Sequence, residues 1–328
     1  MNKFSVATPY RTSYYNDYAL TLHRAGRLRH YVLGTRRGCE GLPDELIRLN
    51  PAIGLVRTLA VKFLSPYRSE CVRFATYPWF DRWATKKITP SDHIISSYGM
   101  ANECFRKTRA NGGKTFLEAG NSHPQQFWEI MIEEHARWGC ALPPVYPPCH
   151  QRALRMMEDV DFVLSPSRYV SDSFLRRGFS PEQIIYNPFA CNLDCFRPAA
   201  NLRPRNRPLT LIHTGMLGLR KGTPYLLEAF RQVQKIHPSA RLILISQIHD
   251  SVKSILPRYR DLAIQWSDSL PSDKLAELLQ QADLFIMPTL EEGFARAISE
   301  ALTSLQGMSA DDLRTARAEK FLAIGRKV

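Results

Sequence analysis

No run of 18 consecutive apolar residues occurs in the sequence, so no membrane-spanning helix is expected. The opening MNKFSVATPYRTSYY lacks the apolar core of a secretory signal. There is no Cys-x-x-Cys pair. Seven cysteines, an odd number, stand at 39, 71, 104, 140, 149, 191 and 195. The one close pair, Cys191 and Cys195, has no second pair at zinc spacing. These absences point away from a disulfide scaffold or a metal site and toward reduced thiols in a cytosolic protein. Neither a low-complexity tract nor a repeat of solenoid spacing is visible.

Acidic residues are the scarce charge. Forty-four Lys and Arg face 31 Asp and Glu, a net +13. A solvated basic surface accounts for this, and so does attraction to anionic lipid headgroups with a phosphate-bearing ligand in a cleft. Nucleic acid is the third reading and the least favoured. No recognition motif and no dense basic block with interleaved aromatics is present, so no nucleic-acid partner is expected. With 44% hydrophobic and 23% charged residues the chain is globular, and 328 residues suffice for two domains.

Short apolar runs alternate with helical patterns, the rhythm of an α/β protein with mostly parallel strands. Strands are expected at 3–8, 29–34, 93–99, 114–120 and 161–167. The segment 122–139 reads as a helix opened by Pro124 and closed by Gly139, with Phe127, Ile130, Met131 and Trp138 on one face. Residues 40–80 look helical and aromatic but show no clear boundaries. RPAANLRPRNRP (197–208) breaks every pattern. The chain thus divides into a domain at 1–199, a linker at 200–208 and a second domain at 209–328. In the second, strands are expected at 209–215, 241–247, 262–266 and 283–288, with helices near Pro224–His237 and Ser272–Ala282.

Two stretches carry chemistry. HTGMLGLRKGTPYLLEAF (213–230) reads as a buried strand, a loop with Gly215, Arg220, Lys221 and Gly222, then an amphipathic helix. A helix N-terminus after a parallel strand offers free N–H groups and a positive dipole end, and the Arg-Lys pair could complete a pyrophosphate cradle. A plain turn with two solvated cations explains the same residues. The spacing is neither a Walker A loop nor a dinucleotide fingerprint. DLFIMPTLEEGFARAISEAL (283–302) reads as a buried strand ended by Pro288, then Glu292 in the loop above its carboxyl end. Gly293 permits close backbone approach, and Glu300 is expected two turns into the next helix. A carboxylate accepts two hydrogen bonds from vicinal hydroxyls, so two of them could hold two polyols joined by a phosphate bridge. The simpler account has Glu292 favouring a helix dipole and Glu300 pairing with Arg296 one turn earlier.

Together and in this order, the motifs resemble the retaining GT-B glycosyltransferases of family 4. The marker is Glu292-x7-Glu300 after ADLFIMPTLEEGF, preceded by the loop at 215–222. DFVLSPSRYVSDSFLRRGF (161–179) and NPFACNLDCFRP (187–198) resemble the end of the family's first domain, and the resemblance spans most of the chain. It implies an α/β fold of two Rossmann-like domains facing a cleft. It implies transfer of a sugar from a UDP- or GDP-sugar to a saccharide or lipid-linked acceptor with retention of configuration, needing no metal or cofactor. Lys221 would neutralise the donor phosphates, with Gly215 and Arg220 beside it. Glu292 would contact the transferred sugar near the N–H groups of Gly293 and Phe294, and Glu300 would bind the ribose. His123 matches a first-domain histidine that touches the donor sugar; a helix cap or core histidine is the alternative. The expected location is cytoplasmic, peripheral at the inner membrane face.

Two departures stand out. Met216 replaces an arginine that many members carry after the first loop glycine, and Arg220 is the substitute at hand. In the family, more α/β units follow the helix of the second glutamate, whereas no strand candidate follows Leu302 here. The expectation is an incomplete second domain. The alternative function is an inactive truncated remnant that at most binds nucleotide sugar or a partner.

Overall fold

The computed structural model describes residues 3–10, 13–35, 39, 41–189, 194–197 and 207–303. Seven strands form the first sheet: β1 (Phe4–Thr8), β2 (Leu28–Leu33), β3 (Ile47–Leu49), β4 (His93–Ser97), β5 (Thr115–Glu118), β6 (Phe162–Ser165) and β7 (Ile184–Tyr186). Their order is β3-β2-β1-β4-β5-β6-β7, and every pairing is parallel. The second sheet holds β8 (Thr210–Thr214), β9 (Arg241–Ile245), β10 (Ile264–Ser267) and β11 (Leu284–Phe285) in the order β10-β9-β8-β11, again parallel. The architecture is the expected α/β arrangement of two doubly wound layers. Each sheet reverses strand order once, between β1 and β4 and between β8 and β11. Ligands of such sheets bind beyond the carboxyl ends of the strands at the reversal.

All nine expected strands form. The two that escaped the sequence pattern, β3 and β7, are three-residue edge strands with no fully buried side chain, too short to show an alternation. Residues 40–80 contain β3 and the helices Pro51–Phe63, Pro66–Ala75 and the start of Tyr77–Ala84. Their boundaries were written in prolines: Asn50 and Ser65 cap the first two helices, and Pro51 and Pro66 follow as first helical residues.

Two expectations need correction. The strand after Asp283 is not buried: β11 is two residues long, lies at the edge of its sheet among the described residues, and leaves Leu284 47% exposed. Glu300 lies just over one turn into its helix, Arg296–Thr303, not two. The expected absence of strands after Leu302 falls mainly on 304–328, outside the described residues; so do 200–206 of the expected linker.

The helix Pro124–Arg137 joins the two sheets. Phe127, Met131 and Trp138 from its apolar face enter the core of the second sheet beside Leu211, Leu226 and Leu227. Tyr225 donates its hydroxyl to Glu134 at 2.7 Å and meets the Trp138 ring edge-on at 5.5 Å.

Gly54, in the helix Pro51–Phe63, touches the loop after β2. A Cβ there would stand 1.9 Å from the Gly34 carbonyl oxygen. Gly54→Ala is expected to cost about 2 kcal/mol or more through overpacking against backbone. Its thermal midpoint should fall by about 4 °C or more, and an unchanged midpoint would contradict that contact.

Candidate functional site

The loops after β8 and β11 are neighbours because those strands pair at the reversal point of the second sheet. Arg220 and Lys221 come from the first loop; Glu291, Glu292 and Gly293 come from the second. The two are stitched together by backbone. The Arg220 carbonyl accepts from the Leu290 N–H at 3.0 Å and the Thr289 hydroxyl at 3.2 Å. Arg220 Nη1 donates to the Glu291 carbonyl at 2.8 Å. Gly222 has φ +67°, and a Cβ there would meet the Pro288 carbonyl oxygen at 1.9 Å. Gly215, with φ +128°, makes the turn out of β8. Both glycines are required by conformation, and Gly222 by space as well.

Lys221 forms a direct ion pair with Glu292, and Arg220 Nη1 lies 3.5 Å from the same carboxylate. Burial lowers the Lys221 pKa, Arg220 pushes the same way, and Glu292 opposes both. Beneath them, His213 is fully buried at the end of β8. Its Nδ1 lies 2.8 Å from the Ile286 carbonyl, which can only accept, so Nδ1 carries the proton. Its Nε2 is buried without a partner. Burial, with Lys221 nearby, lowers the His213 pKa and keeps the ring neutral.

Sequence pattern did not single out Glu291. It is 1% exposed. Its Oε1 accepts from the Ser122 backbone N–H at 2.7 Å, and its Oε2 from the Asn121 side-chain amide at 2.5 Å. Both donors belong to the turn between β5 and the helix Pro124–Arg137, so Glu291 bridges the two sheets. Gly293 is pressed to the same turn: a Cβ would lie 2.0 Å from the Gly120 carbonyl oxygen. The Phe294 ring packs edge-on against Phe189 at 6.1 Å. The doubled glutamate at 291 and 292 was the available signal.

The other two expected residues are held by contacts of their own. His123 Nδ1 accepts from the Gln125 N–H at 3.1 Å and caps its own helix. Its ring meets Phe174 and Phe179 edge-on at 5.1 and 6.2 Å. Burial lowers its pKa to about 4. Arg177 and His150 push the same way and Glu129 opposes them. The cap bond is made by Nδ1. Glu300 is half-buried on its helix; burial raises its pKa and Arg296 opposes the rise.

Two cavities open where the sheets face each other. One, about 620 Å³, is lined by Arg220, Asn121, Ser122, Trp128, Arg152 and Glu118, among others. The other, about 660 Å³, lies at the carboxyl ends of β9 and β10. Met216, Gln247, Trp266 and Asp268 face Arg57 and Glu70 across it. Glu70 also reaches His249 Nε2 at 3.4 Å, a second polar bridge between the sheets. Among the described residues no group of three or more His, Cys, Asp or Glu could hold a metal ion.

Residues 208–304 match the model of the family described as Glycosyl transferases group 1. The matched segment contains both loops of the cluster. A curated relative, a phosphatidylinositol N-acetylglucosaminyltransferase subunit of Arabidopsis thaliana, is 25% identical over 179 residues, 53% of this chain. The chain spans 39% of that relative's length. Among solved structures, sucrose-phosphate synthase from Thermosynechococcus elongatus superimposes with a TM-score of 0.57 at 17% identity, over 92% of this chain and 79% of that one. Alpha,alpha-trehalose-phosphate synthase from Burkholderia vietnamiensis gives 0.55 at 11% identity, over 93% and 80%. At such identities the likeness is one of fold, and that fold is GT-B.

Glu291→Ala would leave the Ser122 N–H and Asn121 amide buried without their acceptor. A loss of about 3 kcal/mol is expected in denaturant unfolding, with a smaller loss for Glu291→Gln. Equal stability of Glu291→Ala and the parent would contradict the bridge.

Glu118 yields a pH prediction. It is fully buried at the end of β5, where Oε2 accepts from Tyr15 at 3.2 Å and no cation among the described residues pairs with it. Burial raises its pKa from 4.5 to about 8. The folded chain therefore keeps a proton that the unfolded chain releases, and Glu118 lowers stability steadily as pH rises across that window. Glu118→Gln should be progressively more stable than the parent from about pH 5 to about pH 8, by at most ~1.4 kcal/mol per pH unit. Parallel urea midpoints for the two proteins across that range would contradict it.

Proposed function

We propose that the protein transfers a sugar from a nucleotide-sugar donor, a UDP- or GDP-sugar, to a lipid-linked or saccharide acceptor, with retention of configuration. The observation that carries this reading is the meeting of Lys221, Arg220 and Glu292 at the strand-order reversal of the second sheet, facing the first sheet across a cleft. Lys221 and Arg220 take the donor diphosphate. Without donor, Glu292 serves as the counterion of Lys221. An incoming diphosphate replaces it there and frees the carboxylate for hydroxyls of the transferred sugar. Glu300 takes the ribose hydroxyls, and Gly293 and Phe294 line the sugar's path with backbone.

In the reaction the bond from the sugar carbon to the phosphate oxygen breaks while the acceptor oxygen bonds to that carbon on the same face. The departing phosphate oxygen receives the acceptor's proton. Negative charge grows on the diphosphate as the bond breaks, and two cations fixed in a partly buried site stabilise it more than they stabilise the ground state. No protein nucleophile is needed.

The acceptor is assigned more loosely. The Arabidopsis relative acts, by its name, on phosphatidylinositol, which favours a lipid-linked acceptor at a membrane surface. No helix among the described residues is long and apolar enough to cross a membrane, so the proposed association is peripheral, at the cytoplasmic face. Arg220, Lys221, Glu292 and Gly293 are all present in the two loops, which weighs against an inactive remnant.

Calorimetry with UDP-, GDP- and ADP-sugars on the intact chain tests the reading. One nucleotide class should bind, and Lys221→Ala should weaken it at least about tenfold, or ~1.4 kcal/mol. Glu292→Gln should lower donor hydrolysis or transfer by about 100-fold. Failure of all three donor classes to bind at millimolar concentration would overturn the proposal.

A further inference from the structure

The helix Pro51–Phe63 has two apolar faces, and only one is used. Ile53, Gly54 and Ala60 are buried, with Ile53 inside the first sheet's core. Flanking that face, Ala52, Leu55, Val56, Leu59 and Phe63 fall at i, i+3, i+4, i+7 and i+11, the spacing of one continuous helical stripe. That stripe faces outward: Leu55 is 60% exposed and Phe63 68%. Scattered surface leucines need no explanation, but an apolar stripe in register on a helix already packed by its other face does.

Charge says what covers it. Between residues 47 and 90 there are eight Lys and Arg and only two acids, Glu70 and Asp81. Asp81 is fully buried and pairs with Arg152; Glu70 is 20% exposed and pairs with Arg73. Lys62, Arg68, Arg82, Lys86 and Lys87 are exposed. Apolar side chains on a segment whose exposed charges are cations fit an interface with anionic lipid. Lys62 stands over the Phe63 ring at 5.3 Å, close enough to meet a headgroup while the ring enters the acyl boundary.

We propose that the helix Pro51–Phe63 seats the protein on an anionic lipid surface, its outward stripe immersed and the neighbouring cations against the headgroups. This deepens the membrane part of the proposed function by naming the element that makes contact, and rests on that reading. Arg57 and Val61 of the same helix, with Leu64 just beyond it, line the 660 Å³ cavity between the sheets. A seated helix would therefore hold the cleft beside the bilayer, within reach of an acceptor whose lipid end stays in the membrane.

The intact chain is sedimented with vesicles of phosphatidylcholine alone and with vesicles carrying about 30% phosphatidylglycerol. It should bind the anionic vesicles and release them as salt is raised. Replacing the stripe (Leu55→Ser, Leu59→Ser, Phe63→Ser) should leave the thermal midpoint near the parent's and reduce vesicle binding at least about tenfold. Independently, Phe63→Trp should gain fluorescence quenching by lipids brominated in the acyl chains. The proposal is overturned if the parent binds neither vesicle, or if the stripe variant binds as well as the parent. It is equally overturned if the stripe holds a dimer that ignores vesicles. Donor calorimetry separates the two readings: donor binding without vesicle binding removes only this one, and vesicle binding without donor binding removes only the transfer reading.

Discussion

The arrangement depends on one buried carboxylate. Glu291 reaches out of the second sheet and is held by a backbone N–H and a side-chain amide of the first. A buried carboxylate is tolerated only where its charge is met by donors, and here Arg220 also stands 3.8 Å from it. Glu291 is committed to the first sheet, while its neighbour Glu292 pairs with Lys221. The next residue must then be glycine, since the loop backbone rests on Gly120. Three consecutive positions thus perform three tasks: bridging, pairing and close approach.

The cleft's electrostatics follow from that geometry. Arg220 has its Nη1 on the Glu291 carbonyl, which leaves its charge shared between two carboxylates. Lys221 is held by Glu292 in a place where burial alone would favour losing its proton. A diphosphate brings more negative charge than a carboxylate, which is why the proposed function has it take the place of Glu292 at Lys221. Across the cavity Glu118 shows the converse. With a tyrosine partner and no cation it is driven toward its neutral form, although it shares a wall with Arg152 and Arg220.

Much of this was legible in the residue order. Strands β1, β2, β4 and β5 announce themselves as short apolar runs between polar turns; Gly215 marks a turn with positive φ, and Gly222 and Gly293 mark places where a side chain would not fit. The helix starts at Pro51 and Pro66 were equally readable from their capping residues, Asn50 and Ser65. Other features could not be read. His123 has the same one-letter context whether or not it caps a helix, and its packing against Phe174 and Phe179 is not written there. The face Phe127–Met131–Trp138 is a helical stripe in either case, and no periodicity says that it enters the core of the other sheet.

Local chemistry, then, was determined by the sequence alone: which segments become strands and helices, where cations and carboxylates sit relative to strand ends, and which turns demand glycine. These are short-range consequences of backbone sterics and side-chain spacing. Tertiary structure decided which of two adjacent glutamates crosses the cleft, which role a capping histidine takes, and which of two apolar faces on one helix is left to solvent. Those choices depend on contacts between residues far apart in the chain, 169 positions in the case of Ser122 and Glu291. A linear pattern carries no record of the partner across such a gap.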